Sequence, residues 1–104
     1  MQSEVKVIRS DQADKLNEQR FRGVMAKEGL QPYRWSNRPH DVYGAHSHPY
    51  DKVIYVIQGS IIFGLPQTDE QVQLNAGDRL DLPRGVIHNA TVGPEGVVCL
   101  EAHI

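Results

Sequence analysis

The hydrophobic pattern of the chain changes once, near residue 30, and the change separates two kinds of structure. Before it, Val5, Val7 and Ile8 form a short apolar group that reads as an opening strand. Ser10 stands where a helix N-cap is expected, and Asp11 and Asp14 follow in the first turn, where carboxylates meet the positive end of the helix dipole. Ala13, Leu16, Arg20 and Val24 recur near helical spacing, with Phe21 and Met25 beside them, so the spacing predicts a helix over about residues 11–28. Gly29 is a natural stop in the left-handed conformation, and Leu30 is placed to pack back on the last turn. Gly23 weakens the middle, which leaves one helix or two pieces open. The pattern is amphipathic and suits a helix covering one side of a β structure.

After residue 30 short segments rich in Val, Ile, Leu and Tyr alternate with turn residues. The expected strands are Tyr33 to Trp35, Val42 to His48, Lys52 to Gln58, Ser60 to Leu65, Gln71 to Leu74, Arg79 to Leu82, Ile87 to Val92 and Val97 to Ile104. Gly59 reads as a tight hairpin and Gly93-Pro94-Glu95-Gly96 as a turn. Many short strands after one helix, with no helical pattern between them, indicate an all-β antiparallel sandwich or barrel.

At 104 residues the chain fits one domain, 1–104, with the barrel over about 31–104. A net charge of −2, with Lys and Arg scattered, gives no reason to expect nucleic acid or an acidic membrane as partner. The single cysteine, Cys99, excludes an intrachain disulfide and is expected as a small core residue. The charged start of the chain and the lack of a run of about 20 apolar residues lead to the expectation of a soluble, cytoplasmic protein.

Candidate chemistry lies in the histidines. His46 and His48 alternate with Ser47, so on a strand they share a face with Cβ atoms about 6–7 Å apart, close enough to lean on one ion. Imidazole suits Zn, Fe, Ni, Cu and Mn, so the pair does not choose the metal, and alone it is a weak signal. His40 follows Pro39 in a turn and is expected in solvent.

Two stretches together resemble the motifs of the cupin family. The first runs Gly44-Ala45-His46-Ser47-His48, then Pro49-Tyr50-Asp51-Lys52, and on to Gly59. It is similar to the motif in which His-x-His is followed by Glu and then, six residues on, by Gly, although its leading Gly stands closer than usual to the histidines. The second has Gly77, Pro83, Gly85 and His88 at the spacing Gly-x5-Pro-x-Gly-x2-His, with Val92 where the motif ends in Asn. The resemblance covers residues 44 to 92, and implies a double-stranded β-helix, or jelly-roll barrel. It further implies that His88 faces His46 and His48 across the interior, and that one divalent ion is held there. It also favours a homodimer that binds a small-molecule ligand.

One departure bears on chemistry. Counting back from Gly59, the place of the family's Glu ligand holds Lys52, whose ammonium has no lone pair to give a metal. Three possibilities stay open. The site uses three histidines only, as in thiol dioxygenase relatives of the cupins; or Asp51 or Glu101 supplies a carboxylate; or metal binds weakly or not at all. His103 is a further, less favoured ligand. Lys52 either points to water or, if buried, holds an anionic substrate; Arg34 and Tyr43 are the other candidates for substrate contact. Tyr33, Arg34 and Trp35 read as barrel wall or ligand mouth, and Arg79 with Asp81 as an exposed ion pair. The functions in contention are a mononuclear metal oxygenase or isomerase of a small metabolite, a non-catalytic binding module, and a structural barrel.

Overall fold

Four of the expected strands join in pairs to give the two longest strands, and the rest of the chain is arranged around them. The computed structural model describes residues 5–10 and 18–104. Its elements are β1 (Lys6–Ile8), α1 (Glu18–Lys27), β2 (Tyr33–Asn37), β3 (Val42–His46), β4 (Lys52–Leu65), β5 (Glu70–Asn75), β6 (Arg79–Leu82) and β7 (His88–His103). β4 and β7 pair with each other antiparallel from Lys52↔His103 to Gly64↔Asn89. The first part of β4 takes β6 on its other edge, and β6 takes β1. The second part of β4 takes β5. The first part of β7 pairs with β3 and the last with β2. Two half-sheets result, β1-β6-β4-β7-β2 and β5-β4-β7-β3, which share the central strands and enclose one interior.

The expected reversals at Gly59 and at Gly93 to Gly96 do not occur. Each glycine signal lies inside a continuous strand and marks the bend where β4 and β7 pass from one half-sheet to the other. Gly59 and Gly96 both have φ +80, and a Cβ on Gly59 would lie 2.0 Å from the Gly96 carbonyl oxygen. The register of β4 shifts on either side of Gly59, between Val56 and Gln58 and between Gly59 and Ile61. These bulges exchange the inward parity, so Ile54 and Val56 before the bend share one core with Ile61, Phe63 and Leu65 after it. On β7 the same exchange joins Ala90 and Val92 to Val97 and Cys99, and Cys99 is buried as expected.

A second, smaller core lies outside the first half-sheet. Phe21 and Met25 of α1 and Leu30 beyond it pack on Val53, Tyr55, Leu100 and Ala102, and the Phe21 and Tyr55 rings stack at 4.8 Å. Burying Phe21 and Met25 contributes about 2–3 kcal/mol each. The stretch Val53 to Val56 is therefore covered on both faces, which explains why it reads as an unbroken apolar run. The helix is continuous through Gly23 and ends as the sequence indicates: Gly29 has φ +78, its N–H reaches the Ala26 carbonyl at 3.0 Å, and the Leu30 N–H reaches that of Met25 at 2.9 Å. Residues 11–17 of the expected helix, with their capping carboxylates, lie outside the described residues. Arg79 is not an exposed ion pair. It is buried, and its guanidinium binds Glu28 at 2.6 Å, Asp81 at 2.6 Å and the Tyr55 hydroxyl at 3.2 Å, clamping the end of the helix to the sheet.

Gly59→Ala places a side chain in a left-handed residue against backbone, whereas Gly29→Ala meets open space at a similar φ. The expected loss is at least about 2 kcal/mol for Gly59→Ala and about 1 kcal/mol for Gly29→Ala, read from urea unfolding midpoints. Equal losses at the two positions would contradict a tight β4–β7 crossing.

Candidate metal centre

The interior of the barrel is open at one end as a cavity of about 360 Å³. His46, His48, His88, Lys52 and Glu101 all line it. Three local features deliver the histidines. His46 closes β3 opposite His88, which opens β7. Between Tyr43↔Ala90 and His46↔His88 the register shifts, so three steps along β3 match two along β7. A regular strand would turn Tyr43 and His46 to opposite faces; the bulge brings both to the cavity. His48 lies beyond the strand, so alternation within a longer strand does not place it, contrary to the sequence reading. The turn before β7 holds it instead: the Gly85 N–H donates to the His48 carbonyl at 2.9 Å. The Gly85 of the second motif thus grips the histidine segment of the first.

The three rings lie with centroids 4.4 to 5.2 Å apart, and one ring nitrogen from each falls within 4.8 Å of the others. His46 Nδ1 lies 2.6 Å from the Gly44 carbonyl oxygen and His88 Nδ1 lies 3.0 Å from that of Val86. A carbonyl only accepts, so both Nδ1 atoms donate, and each neutral ring keeps its Nε2 lone pair free. His48 Nδ1 is buried and has no hydrogen-bond partner among the described residues. Burial holds the pKa of His88 and His48 below the ordinary histidine value, reinforced by the neighbouring imidazoles and the Lys52 charge. His48 and His88 therefore stand neutral at neutral pH, as metal ligands must be. Bonds of about 2.0–2.1 Å to one ion draw imidazole nitrogens to within about 4 Å of one another, so this cluster is slightly wider than a liganded one. An orphaned buried nitrogen and oriented lone pairs fit a divalent ion.

The carboxylate candidates do not join this cluster. Asp51 accepts from the Arg84 N–H at 2.8 Å and pairs with its guanidinium at 3.4 Å, on the turn rather than in the cavity. Glu101 does face the cavity, but its oxygens are taken. Oε2 accepts from the Tyr33 hydroxyl at 2.7 Å and from His103 Nε2 at 2.6 Å, and Oε1 accepts from the Trp35 indole at 3.1 Å. Lys52 is not a solvated turn residue. It begins β4 with its side chain 10% exposed and its Nζ 3.5 Å from Glu101 Oε2. Burial alone would raise the Glu101 pKa; the Tyr33 and His103 hydrogen bonds and the Lys52 charge outweigh it and hold the carboxyl below its usual range. His103, the less favoured ligand, belongs to this network and stacks on Tyr50 at 4.0 Å.

Of the proposed substrate contacts, Lys52 and Tyr43 line the cavity, and the Tyr43 hydroxyl bonds Asn37. Arg34 does not; it points away, 52% exposed, and pairs with Glu18 at 3.2 Å. Tyr33 and Trp35, on the opposite face of the same strand, do form cavity wall. His40 is exposed in its turn with φ +67. Sequence reasoning underrated Glu101 as a structural anchor. The available signal was a carboxylate inside an apolar strand, which needs partners to be buried.

No protein-family model matches the sequence. Acireductone dioxygenase of Yarrowia lipolytica (strain CLIB 122 / E 150) is 34% identical over 59 residues, 54% of this chain and 34% of the dioxygenase. The chain thus spans about a third of the length of the curated relative it matches. Among solved structures, an RmlC-like cupin from Shewanella frigidimarina superposes with a TM-score of 0.61 at 23% identity, covering 71% of this chain and 64% of that one. A DUF861 family protein from Thermotoga maritima superposes with a TM-score of 0.64 at 13% identity, over 97% of this chain and 100% of that one. The chain has the cupin fold, the double-stranded β-helix that its two motifs resemble. No described helix is long and apolar enough to cross a membrane.

The depressed histidine pKa values have a pH consequence. The unfolded chain takes up protons near pH 6.5 that folded His48 and His88 resist, so stability is full above that pH and declines as pH falls through it. The Tm of the metal-free protein is expected to drop between about pH 7.5 and about pH 5.5, and to drop less in the His48→Gln/His88→Gln double variant. An equal drop in both proteins would contradict this reading.

Proposed function

We propose that this cupin is a metal-dependent enzyme acting on a small metabolite, with His46, His48 and His88 holding one divalent ion at the cavity. The observation that carries this reading is the convergence of three imidazoles whose second nitrogens are, for His46 and His88, tied to backbone carbonyls. The likeness to a dioxygenase over 54% of the chain supports oxygenase chemistry, with isomerisation as the related alternative. A divalent ion held by three neutral ligands supplies Lewis acidity, or oxygen activation when the metal is redox-active.

The chain's own residues do the remaining work. The Gly44 and Val86 carbonyls fix the ring orientations. Tyr43 and Lys52 face the space beside the histidines and contact the substrate. Trp35, Phe63 and Ile61 wall the cavity and limit water. Iron, manganese, nickel, copper and zinc all suit this donor set. One observation favours a second reading, a binding module without turnover: Lys52 occupies the place of the family's carboxylate ligand and is held by Glu101, so the protein supplies three ligands and no negative charge to the ion.

Elemental analysis of protein purified without chelator or His-tag is expected to give about one such metal per chain. The His46→Ala/His48→Ala variant is expected to stay folded and to lose it. Stoichiometric metal in that variant, or none taken up by the wild type on soaking, would overturn the reading. Metal uptake without oxygen consumption or turnover across a metabolite panel would favour the binding module.

A further inference from the structure

The Lys52 ammonium is unusual among the charged groups of this chain. Arg79, the other buried cation among the described residues, fills its donors with Glu28, Asp81 and Tyr55. Lys52 has three donor hydrogens and, among the described residues, one partner: Glu101 Oε2, 3.5 Å away. Its side chain is only 10% exposed, so little of it meets bulk water. Glu101 has little more to offer, because Tyr33, Trp35 and His103 already occupy its oxygens. The carboxylate balances the charge of Lys52 and leaves the donors open toward the cavity that both residues line.

We infer that Lys52 is the seat for the carboxylate of a small planar acid, whose body lies against the aromatic wall of the cavity. This deepens the small-metabolite reading above and rests on it. Three features define the class. First, no arginine and no second lysine among the described residues lines the cavity, and Glu101 already offsets the Lys52 charge, so the seat takes one negative charge at most; a phosphate dianion calls for more donors than one ammonium gives. Second, Trp35, Tyr43, Tyr50 and Phe63 line the same cavity, and a wall with four aromatic rings suits a conjugated or aromatic body better than a polyol. Third, a cavity of about 360 Å³ limits the ligand to a small molecule. Lys52 shares this cavity with the histidines, so an acid seated on Lys52 extends its body toward them. The residue that displaces the family's ligand thus acts as a specificity residue.

Trp35 makes the test direct, because it is the only tryptophan in the chain, lines the cavity and donates to Glu101. The full chain, as purified and again after chelation, is titrated with benzoate and with its neutral isostere benzamide, following Trp35 emission and confirming by calorimetry. Chelation removes any ion that could bind the anion in place of Lys52. Benzoate is expected to bind at least about tenfold tighter than benzamide in both preparations. Lys52→Met is expected to abolish that preference, and Lys52→Arg to retain most of it. Lys52→Gln is read in the same way should the methionine variant fail to fold, with circular dichroism as the check. Equal binding of the two probes, no benzoate binding up to about 10 mM, or a preference that survives in Lys52→Met or Lys52→Gln overturns the inference. Metal content is measured on the same preparations. No benzoate preference in the wild type, with intact metal binding, sinks only the seat; a Lys52-dependent preference without metal uptake sinks only the metal reading.

Discussion

The site depends on one constraint: β4 and β7 must cross between the half-sheets side by side and in register. β7 opens with His88 on one half-sheet and carries Glu101 on the other, and β4 opens with Lys52 and reaches Phe63 beyond its bend. Only if both strands bend together do these residues face one cavity. The bend needs two left-handed glycines in contact, because the Gly96 carbonyl fills the space a Gly59 Cβ would take. The bulges beside Gly59 then exchange the inward parity, without which half of the core would point to solvent. A backbone device without catalytic groups thus decides which side chains meet.

The cavity also has to accommodate charge. A lone buried ammonium is costly, and a lone buried carboxylate equally so. The pair Lys52–Glu101 removes the net charge, and Tyr33, Trp35 and His103 meet the remaining demand of the carboxylate. His48 and His88 are kept neutral in the same space, with Lys52 contributing to that effect. The arrangement separates two functions that the family's first motif places close together: nitrogen ligands remain with His46, His48 and His88, and the position of the carboxylate ligand becomes a cation.

Much of this was legible in the sequence, for physical reasons that differ by element. The end of α1 could be read because a left-handed Gly29 followed by an apolar Leu30 has one common geometry. The strand segments could be read from apolar runs, and the three histidines from two spaced motifs. The bends at Gly59 and Gly96 were misread because glycine signals positive φ, and positive φ serves a hairpin and a barrel corner alike. His48 was assigned to a strand because the bulge in β3 leaves no trace in residue types. Lys52 and Arg34 were harder still. Whether a cation is buried or solvated depends on a carboxylate distant in sequence: Glu101 in one case, and Glu18 on the outer helix in the other.

The most direct measurement of the central claim is X-ray absorption on protein loaded with one equivalent of zinc or cobalt. Three imidazole nitrogens at about 2.0–2.1 Å, with light ligands completing the sphere and no change on substituting Glu101→Gln, is the result expected from this site. Two or fewer imidazoles, or a carboxylate ligand that disappears with Glu101→Gln, would contradict it.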